Sequence, residues 1–281
     1  MSAVHDRASS LKRDQPTFRP WLSVIEIALT AAADPAWEAS ARAVAPAAEG
    51  EVALAGASIP VDRKAVAALV KRLLAAAAEA PASDNGWRLV PARIGRLDPA
   101  RWLVATIEQD PSLLDEVAAQ LEVPTAVVVP IADLAALPLL QACGRRFADR
   151  CSTWSEGHCP ICGAWPTLAE MRGLERGRRL RCGRCGADWG SVPLLCPYCG
   201  NDDHESLTSL VPEKGGESRR IDACNRCRGY LKALAQLGPI RPELLVLEDL
   251  ASVELDLAAI ERGYQRPQNA PGARGVGIME R

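Results

Sequence analysis

The chain has 281 residues, 48% hydrophobic and 24% charged, a balance that excludes disordered and collagen-like classes and suits about two domains. Its 33 basic and 35 acidic side chains leave a formal net charge of −2 and a pI near 6.0. That removes any global electrostatic case for binding nucleic acid or an anionic membrane.

Residues 1–20 are polar, carry Arg7, Lys12, Arg13 and Arg19, and lack both an apolar run and a small-residue cleavage site. They read as a flexible N-terminal tail rather than a secretory signal. Residues 21–150 read as an α-helical domain. Asp62 is placed to cap a helix whose apolar positions Val66, Leu69, Val70, Leu73 and Leu74 recur at i, i+3 and i+4. Asp110 and Pro111 form an N-cap and N1 pair for another helix running to about Glu122. No alternation in this half is strong enough to predict a sheet. The longest apolar stretch, Val123 to Leu140, contains Pro124, Pro130, Pro138 and Asp133, a poor composition for a membrane-spanning helix. Cytoplasmic location follows from this reading. In that compartment thiols stay reduced, so clustered cysteines point to metal or catalysis before disulfides.

All ten cysteines lie between Cys143 and Cys227. Eight form four C-x-x-C pairs: Cys159/Cys162, Cys182/Cys185, Cys196/Cys199 and Cys224/Cys227. The gaps between successive pairs are 19, 10 and 24 residues. The first lies within the spacing of a four-cysteine zinc ribbon, the last slightly exceeds it, and the middle one is short for a ribbon's internal hairpin. The spacing therefore predicts sequential pairing, first with second and third with fourth. Three pairs are followed directly by Gly163, Gly186 and Gly200, which tolerate the positive φ that a metal knuckle needs; the fourth has Arg228 there. Each half runs C-P-x-C-G, a turn-rich stretch, an arginine pair (Arg178-Arg179, Arg219-Arg220) and C-x-R-C, an internal duplication. Tetrahedral thiolate sites suit zinc or a single iron. Four thiolates leave no open coordination position, which favours a structural or electron-holding role over hydrolysis. Redox-active dithiols and disulfides are the competing readings of the same pairs.

Other features have a functional and an ordinary reading. Cys143 and Cys151, with His158, would make a third metal site, but free cysteines are more often small core residues. His204 follows the third knuckle and suits surface or capping use, while His5 lies in the tail. The stretch Arg172 to Cys185 holds Arg172, Arg176, Arg178, Arg179, Arg181 and Arg184 against Glu175 alone. It would bind nucleic acid or an acidic partner; the favoured reading is that it offsets thiolate charge and pairs with the acids Glu243, Glu248, Asp249, Glu254, Asp256 and Glu261. Val246, Leu250, Val253, Leu257 and Ile260 predict one apolar face of a C-terminal helix, with a strand over Val253–Leu257 as the alternative. Residues 266–281 read as a second flexible tail. No Walker loop, dinucleotide fingerprint, nucleophile elbow or H-E-x-x-H motif occurs.

Four segments, Cys159–Gly163, Leu180–Trp189, Cys196–Gly200 and Ala223–Lys232, together with Glu248–Ser252 and Gly263-Tyr264, resemble the FdhE family of formate dehydrogenase accessory proteins. The likeness covers residues 159–264; in the helical half its only local cue is Ile59-Pro60-Val61 before a helix. The resemblance implies a cytoplasmic maturation factor, not an enzyme, that attends the catalytic subunit of respiratory formate dehydrogenase before export. It also implies rubredoxin-like iron held by the eight paired cysteines.

The expected architecture is a mainly α-helical N-terminal domain followed by two tandem rubredoxin- or zinc-ribbon-like knuckle domains and a C-terminal helix. The boundaries are residues 21–150 for the helical domain, 151–192 for the first knuckle, and 193–265 for the second with its helix. The expected cofactors are two metal ions, iron or zinc. One is bound by Cys159, Cys162, Cys182 and Cys185, the other by Cys196, Cys199, Cys224 and Cys227. The expected partner is the formate dehydrogenase catalytic subunit, without nucleic acid or membrane insertion and with a homodimer left open. The alternatives are a zinc-ribbon nucleic-acid-binding protein and a thiol–disulfide oxidoreductase.

Overall fold

A computed structural model describes residues 2–79, 95, 98–212 and 218–281. Helices α1 (Ser2–Asp14), α2 (Arg19–Ala31), α3 (Pro35–Arg42), α4 (Arg63–Ala78), α5 (Pro99–Glu108), α6 (Pro111–Leu121) and α7 (Thr125–Arg146) build the first half. Four of them open on an aspartate whose carboxylate accepts from amides of the first turn: Asp34, Asp62, Asp98 and Asp110. The Asp62 and Asp110 caps stand where the sequence predicts them.

The 22-residue α7 is the axis of this half. By length and composition it matches a membrane-spanning helix, yet 78% of its apolar window is buried inside the protein. Helices α2, α3, α4, α5 and α6 all pack against it. Apolar residues occur all round α7 because neighbours cover most of its circumference. Pro130 and Pro138 lie within it.

Both presumed tails are structured. The amphipathic α1 buries Val4, Ala8 and Leu11 at i, i+4 and i+7, and Arg7 reaches Glu248 through a bidentate pair at 2.6 and 2.8 Å. Its charged residues read as a tail in the sequence, yet Arg7 and Lys12 are half-buried in ion pairs with Glu248 and Glu26. At the other end, Ala270, Ala273 and Val276 are buried, and β8 (Gly277–Glu280) runs parallel to β1 (Ser58–Val61). Ile59-Pro60-Val61 is therefore the core of a strand, which a single four-residue segment cannot announce by periodicity.

In the knuckle half the two tandem knuckles share one six-stranded sheet. Strands β2 (Leu168–Arg172), β3 (Gly177–Arg181), β4 (Asp188–Gly190), β5 (Leu207–Leu210), β6 (Arg219–Cys224) and β7 (Tyr230–Gln236) lie in the order β4-β3-β2-β7-β6-β5. Each duplicate forms its own antiparallel meander, and the two join head to tail where β2 pairs parallel with β7, Leu168 opposite Lys232.

The C-terminal helix differs in register from its expected face. It breaks into α8 (Leu245–Leu250) and α9 (Val253–Glu261), with Ala251 and Ser252 between them. Leu247, Ala251, Leu255 and Ala259 are buried, whereas Leu257 and Ile260 are each 58% exposed. The break rotates α9, and the strand alternative for Val253–Leu257 is not adopted.

Buried charge fastens these layers. Lys232, fully buried on β7, donates to Asp249 Oδ1 at 2.6 Å and Asp256 Oδ2 at 2.8 Å, while Arg266 reaches the same two carboxylates. Burial opposes charge on Asp256, yet Arg266 and Lys232 hold its carboxyl below the ordinary range.

Candidate metal centres

The four pairs come together as two groups of four, in the sequential pairing that the spacing predicts: Cys159, Cys162, Cys182 and Cys185 form centre 1, and Cys196, Cys199, Cys224 and Cys227 form centre 2. Within each group all sulfur atoms lie within 4.8 Å of one another. The shorter separations are 3.4 Å for Cys159–Cys185 and 3.6 Å for Cys162–Cys182 in centre 1. In centre 2 they are 3.7 Å for Cys196–Cys227 and 3.9 Å for Cys199–Cys224. A metal with sulfur ligands at about 2.3 Å in a tetrahedron needs sulfur–sulfur edges of about 3.8 Å. A disulfide needs about 2.05 Å. The donor set and its size therefore fit a four-coordinate thiophilic ion.

Each knuckle is built by the same local chain path. The leading cysteine amide donates to the carbonyl five residues on: Cys159 to Ala164, Cys182 to Ala187, Cys196 to Asn201 and Cys224 to Gly229, at 2.8–3.0 Å. The residue after the second cysteine is left-handed in all four, with φ of 68° at Gly163, 80° at Gly186, 68° at Gly200 and 59° at Arg228. Glycine meets that demand without a steric penalty. Arg228 is held there by its own contacts. Its guanidinium lies 4.1 Å from the centroid of the Tyr264 ring and donates to the Arg262 carbonyl at 2.7 Å and the Gly263 carbonyl at 3.2 Å. Tyr264 in turn donates to Asn225 Oδ1 inside the knuckle at 2.6 Å. Arg228→Ala keeps the strained backbone and loses the clamp, so urea denaturation is expected to show a loss of about 1–2 kcal/mol. Arg228→Gly should recover about 1 kcal/mol of that by relieving the left-handed strain. Equal stabilities for the two variants would refute this account of the fourth knuckle.

The thiols of centre 1 need a cation to ionise together. Burial pushes Cys159 and Cys185 well above the usual thiol range, whereas hydrogen bonds from Cys159, Cys162 and Cys185 pull Cys182 well below it. Four thiolates packed this closely repel one another, and a bound cation would stabilise them together. Amides aimed at sulfur assist: Ile161 N lies 3.4 Å from Cys159 Sγ, and Gly229 N lies 3.4 Å from Cys227 Sγ.

Cys143 and Cys151 are buried outside both groups. Burial pushes Cys143 up to about 12 and raises Cys151, so both stay neutral thiols, the ordinary reading of them. His158 joins no group either. It sits edge-on between Trp154 and Trp165, with centroids at 5.2 and 6.4 Å, and burial lowers its pKa. His204 is exposed. His5 is carried on α1 with Nδ1 3.8 Å from Glu26.

Arg172, Arg178, Arg179, Arg181 and Arg184 of the arginine-rich stretch pair with carboxylates inside the fold, although not with the C-terminal acids expected. Arg172 pairs with Glu170 and Asp188, Arg179 with Asp188, Arg181 with Glu170, Arg178 with Asp222 and Arg184 with Asp133. Arg178 also donates to the carbonyls of Val192 and Leu195. Glu248, Asp249, Glu254 and Asp256 pair instead with Arg7, Lys232, Arg219 and Arg266. The nearer partners lie within the sheet, at Glu170, Asp188 and Asp222, and on α7, at Asp133.

Sequence reasoning overlooks the residues that seat the centres. Gly144 of α7 approaches centre 1 so closely that a Cβ would stand 1.9 Å from the Cys185 carbonyl oxygen. Gly183 N donates to Thr167 Oγ1 at 2.9 Å. In centre 2, Asn201 Nδ2 lies 3.7 Å from Cys224 Sγ. Asn201 directly follows Gly200, a position from which its amide reaches the facing knuckle.

No family model matches the chain. Among curated proteins, it is 35% identical over 127 residues to an FdhE homolog of Aquifex aeolicus, covering 42% of this chain and 44% of that one. It is 34% identical over 111 residues to an FdhE homolog of Haemophilus influenzae, covering 39% and 36%. It is 33% identical over 116 residues to the FdhE protein of Escherichia coli O127:H6, covering 41% and 37%. The chain thus matches less than half the length of each of these relatives. Among solved structures, the crystal structure of the FdhE protein from Pseudomonas aeruginosa superposes with a TM-score of 0.50 at 23% identity. That match covers 76% of this chain and 72% of that one, and it establishes likeness of fold.

Proposed function

We propose that the chain, 33–35% identical to FdhE proteins over 111–127 residues, is a member of the FdhE family and an accessory protein for the maturation of formate dehydrogenase. It would bind the catalytic subunit in the cytoplasm and promote its assembly or activation, with two four-cysteine metal centres holding its surface in shape. The observation that supports this reading is the eight-cysteine pattern, whose members converge in space as two groups of four that could each hold a metal ion.

The eight paired cysteines would hold two ions, zinc or rubredoxin-type iron. Such an ion supplies structural cross-linking and, if iron, a one-electron couple. Four thiolates leave no position for substrate, in keeping with a binding role rather than catalysis. The alternatives draw less support. The arginines that would favour nucleic acid are engaged by the chain's own carboxylates and carbonyls. None of the four C-x-x-C pairs opens a helix, the setting that activates a dithiol for exchange.

The test is co-purification. Tagged chain produced with a formate dehydrogenase catalytic subunit is expected to retain that subunit through affinity and size-exclusion steps. A complex that is absent under both anaerobic and aerobic conditions would sink the reading.

A further inference from the structure

The two centres share a ligand set but not an environment. All four sulfurs of centre 1 are buried, whereas in centre 2 Cys199 is exposed and Cys227 half-buried. Three segments distant in sequence enclose centre 1. Helix α7 lies against the Cys185 carbonyl through Gly144, and the backbone at Gly272 covers Gly163, its amide donating to the Gly163 carbonyl at 3.1 Å. The amides of Ala53 and Leu54 donate to Pro160 and Ile161 inside the first knuckle at 2.9 and 3.1 Å. A chelator or electrophile reaches centre 1 only if the helical half, the C-terminal segment and the knuckles separate. Such sub-global opening is costly.

Centre 2 is covered on one side only. Gly157 abuts the Pro197 carbonyl, and Tyr198 stacks edge-on with Trp165 at 5.4 Å. The Cys199 side faces solvent, and the clamp on the Cys227 side is the exposed Arg228 laid over the buried ring of Tyr264 described above. A competing ligand can therefore substitute at Cys199 while the sheet stays intact.

We propose that centre 2 is an exchangeable, solvent-reactive site for a soft metal ion and that centre 1 is a permanent structural one. This rests on the reading of the eight cysteines as metal ligands. The division of labour gives the chain one site that can respond to thiol-reactive chemistry or metal supply without unfolding.

The test uses the full chain loaded with zinc and assayed first for metal content, where two ions per chain are expected. The protein is then challenged with a chromogenic chelator, with circular dichroism followed in parallel. In a separate arm iodoacetamide is added and the alkylated cysteines are mapped by mass spectrometry. One ion per chain should leave in a fast phase with the fold unchanged, and the second at least about 100-fold more slowly. Alkylation should mark Cys196, Cys199, Cys224 and Cys227 before any cysteine of centre 1. Cys199→Ser should bind one ion, lack the fast phase and keep the slow one. Release of both ions in one phase, or first alkylation at centre 1, overturns the proposal. A chain that takes up no zinc before the challenge overturns the ligand reading itself, and the stoichiometry separates that failure from the other.

Discussion

Serine in place of Cys182 is expected to abolish the cooperative thermal transition of the whole chain. Cys182 is fully buried, directly follows β3 and belongs to the enclosed centre. A serine oxygen is a poor ligand for a thiophilic ion, and the packed site has no room for water to replace the missing sulfur. Metal binding of this kind contributes about 10–16 kcal/mol in small zinc modules. A whole domain is typically stable by about 5–15 kcal/mol, so losing most of that contribution exceeds what the remaining interactions can offset. Because α7 and the C-terminal segment both rest on centre 1, the damage should spread into the helical half. Differential scanning calorimetry on the metal-loaded protein checks this. A Cys182→Ser variant melting within a few degrees of the parent would show that the ion does not hold the fold.

The second large effect is expected at Glu170. It is fully buried on β2, where it accepts from Arg181 Nη1, from Arg172 Nε at 3.0 Å and from the Ile240 amide at 3.1 Å. Arg181 is itself buried, with only 2% of its side chain exposed. Removing the carboxylate strands a guanidinium away from water, and breaking a buried pair in this way costs about 3–5 kcal/mol. Glu170→Ala should therefore shift the urea midpoint strongly. The double variant Glu170→Leu with Arg181→Met should recover most of the loss, since it removes both desolvation penalties and keeps the volume filled. If the double variant is no better than the single one, the pair contributes something beyond mutual neutralisation.

Much of the candidate site was legible because its chemistry is local. A C-x-x-C pair closes its own turn within six residues, and the requirement for a left-handed residue after it explains Gly163, Gly186 and Gly200. A gap of 19 residues fits a ribbon hairpin, 24 slightly exceeds it and 10 is too short, so the sequential pairing follows from the spacing. Arg228 is the instructive departure. Its backbone conformation follows from the motif, but its stabilisation by Tyr264 involves a residue 36 positions away that no local pattern links to it.

The misread segments fail for a common reason. The first helix looked like a tail because its polar residues outnumber Val4, Ala8 and Leu11, and only the surface they dock against makes three apolar residues sufficient. The last residues form a strand only because β1 lies alongside. On α9, a break at Ala251-Ser252 changes which residues face inward, and a continuous helical period cannot foresee it. The arginines of the knuckle half look alike in sequence, whether they end on Glu170, Asp188, Asp222 or a carbonyl.

By itself, the sequence determined that eight cysteines form two groups of four on duplicated knuckles beside a helical half, since residue type and spacing are short-range properties. Only the tertiary structure decided that the duplicates merge through β2 and β7 and that both termini are tied down. It alone decided that one centre is sealed and the other open. Those outcomes depend on which distant surfaces meet: the burial of a thiolate is set by α7 and the C-terminal segment, and nothing within its own motif encodes it.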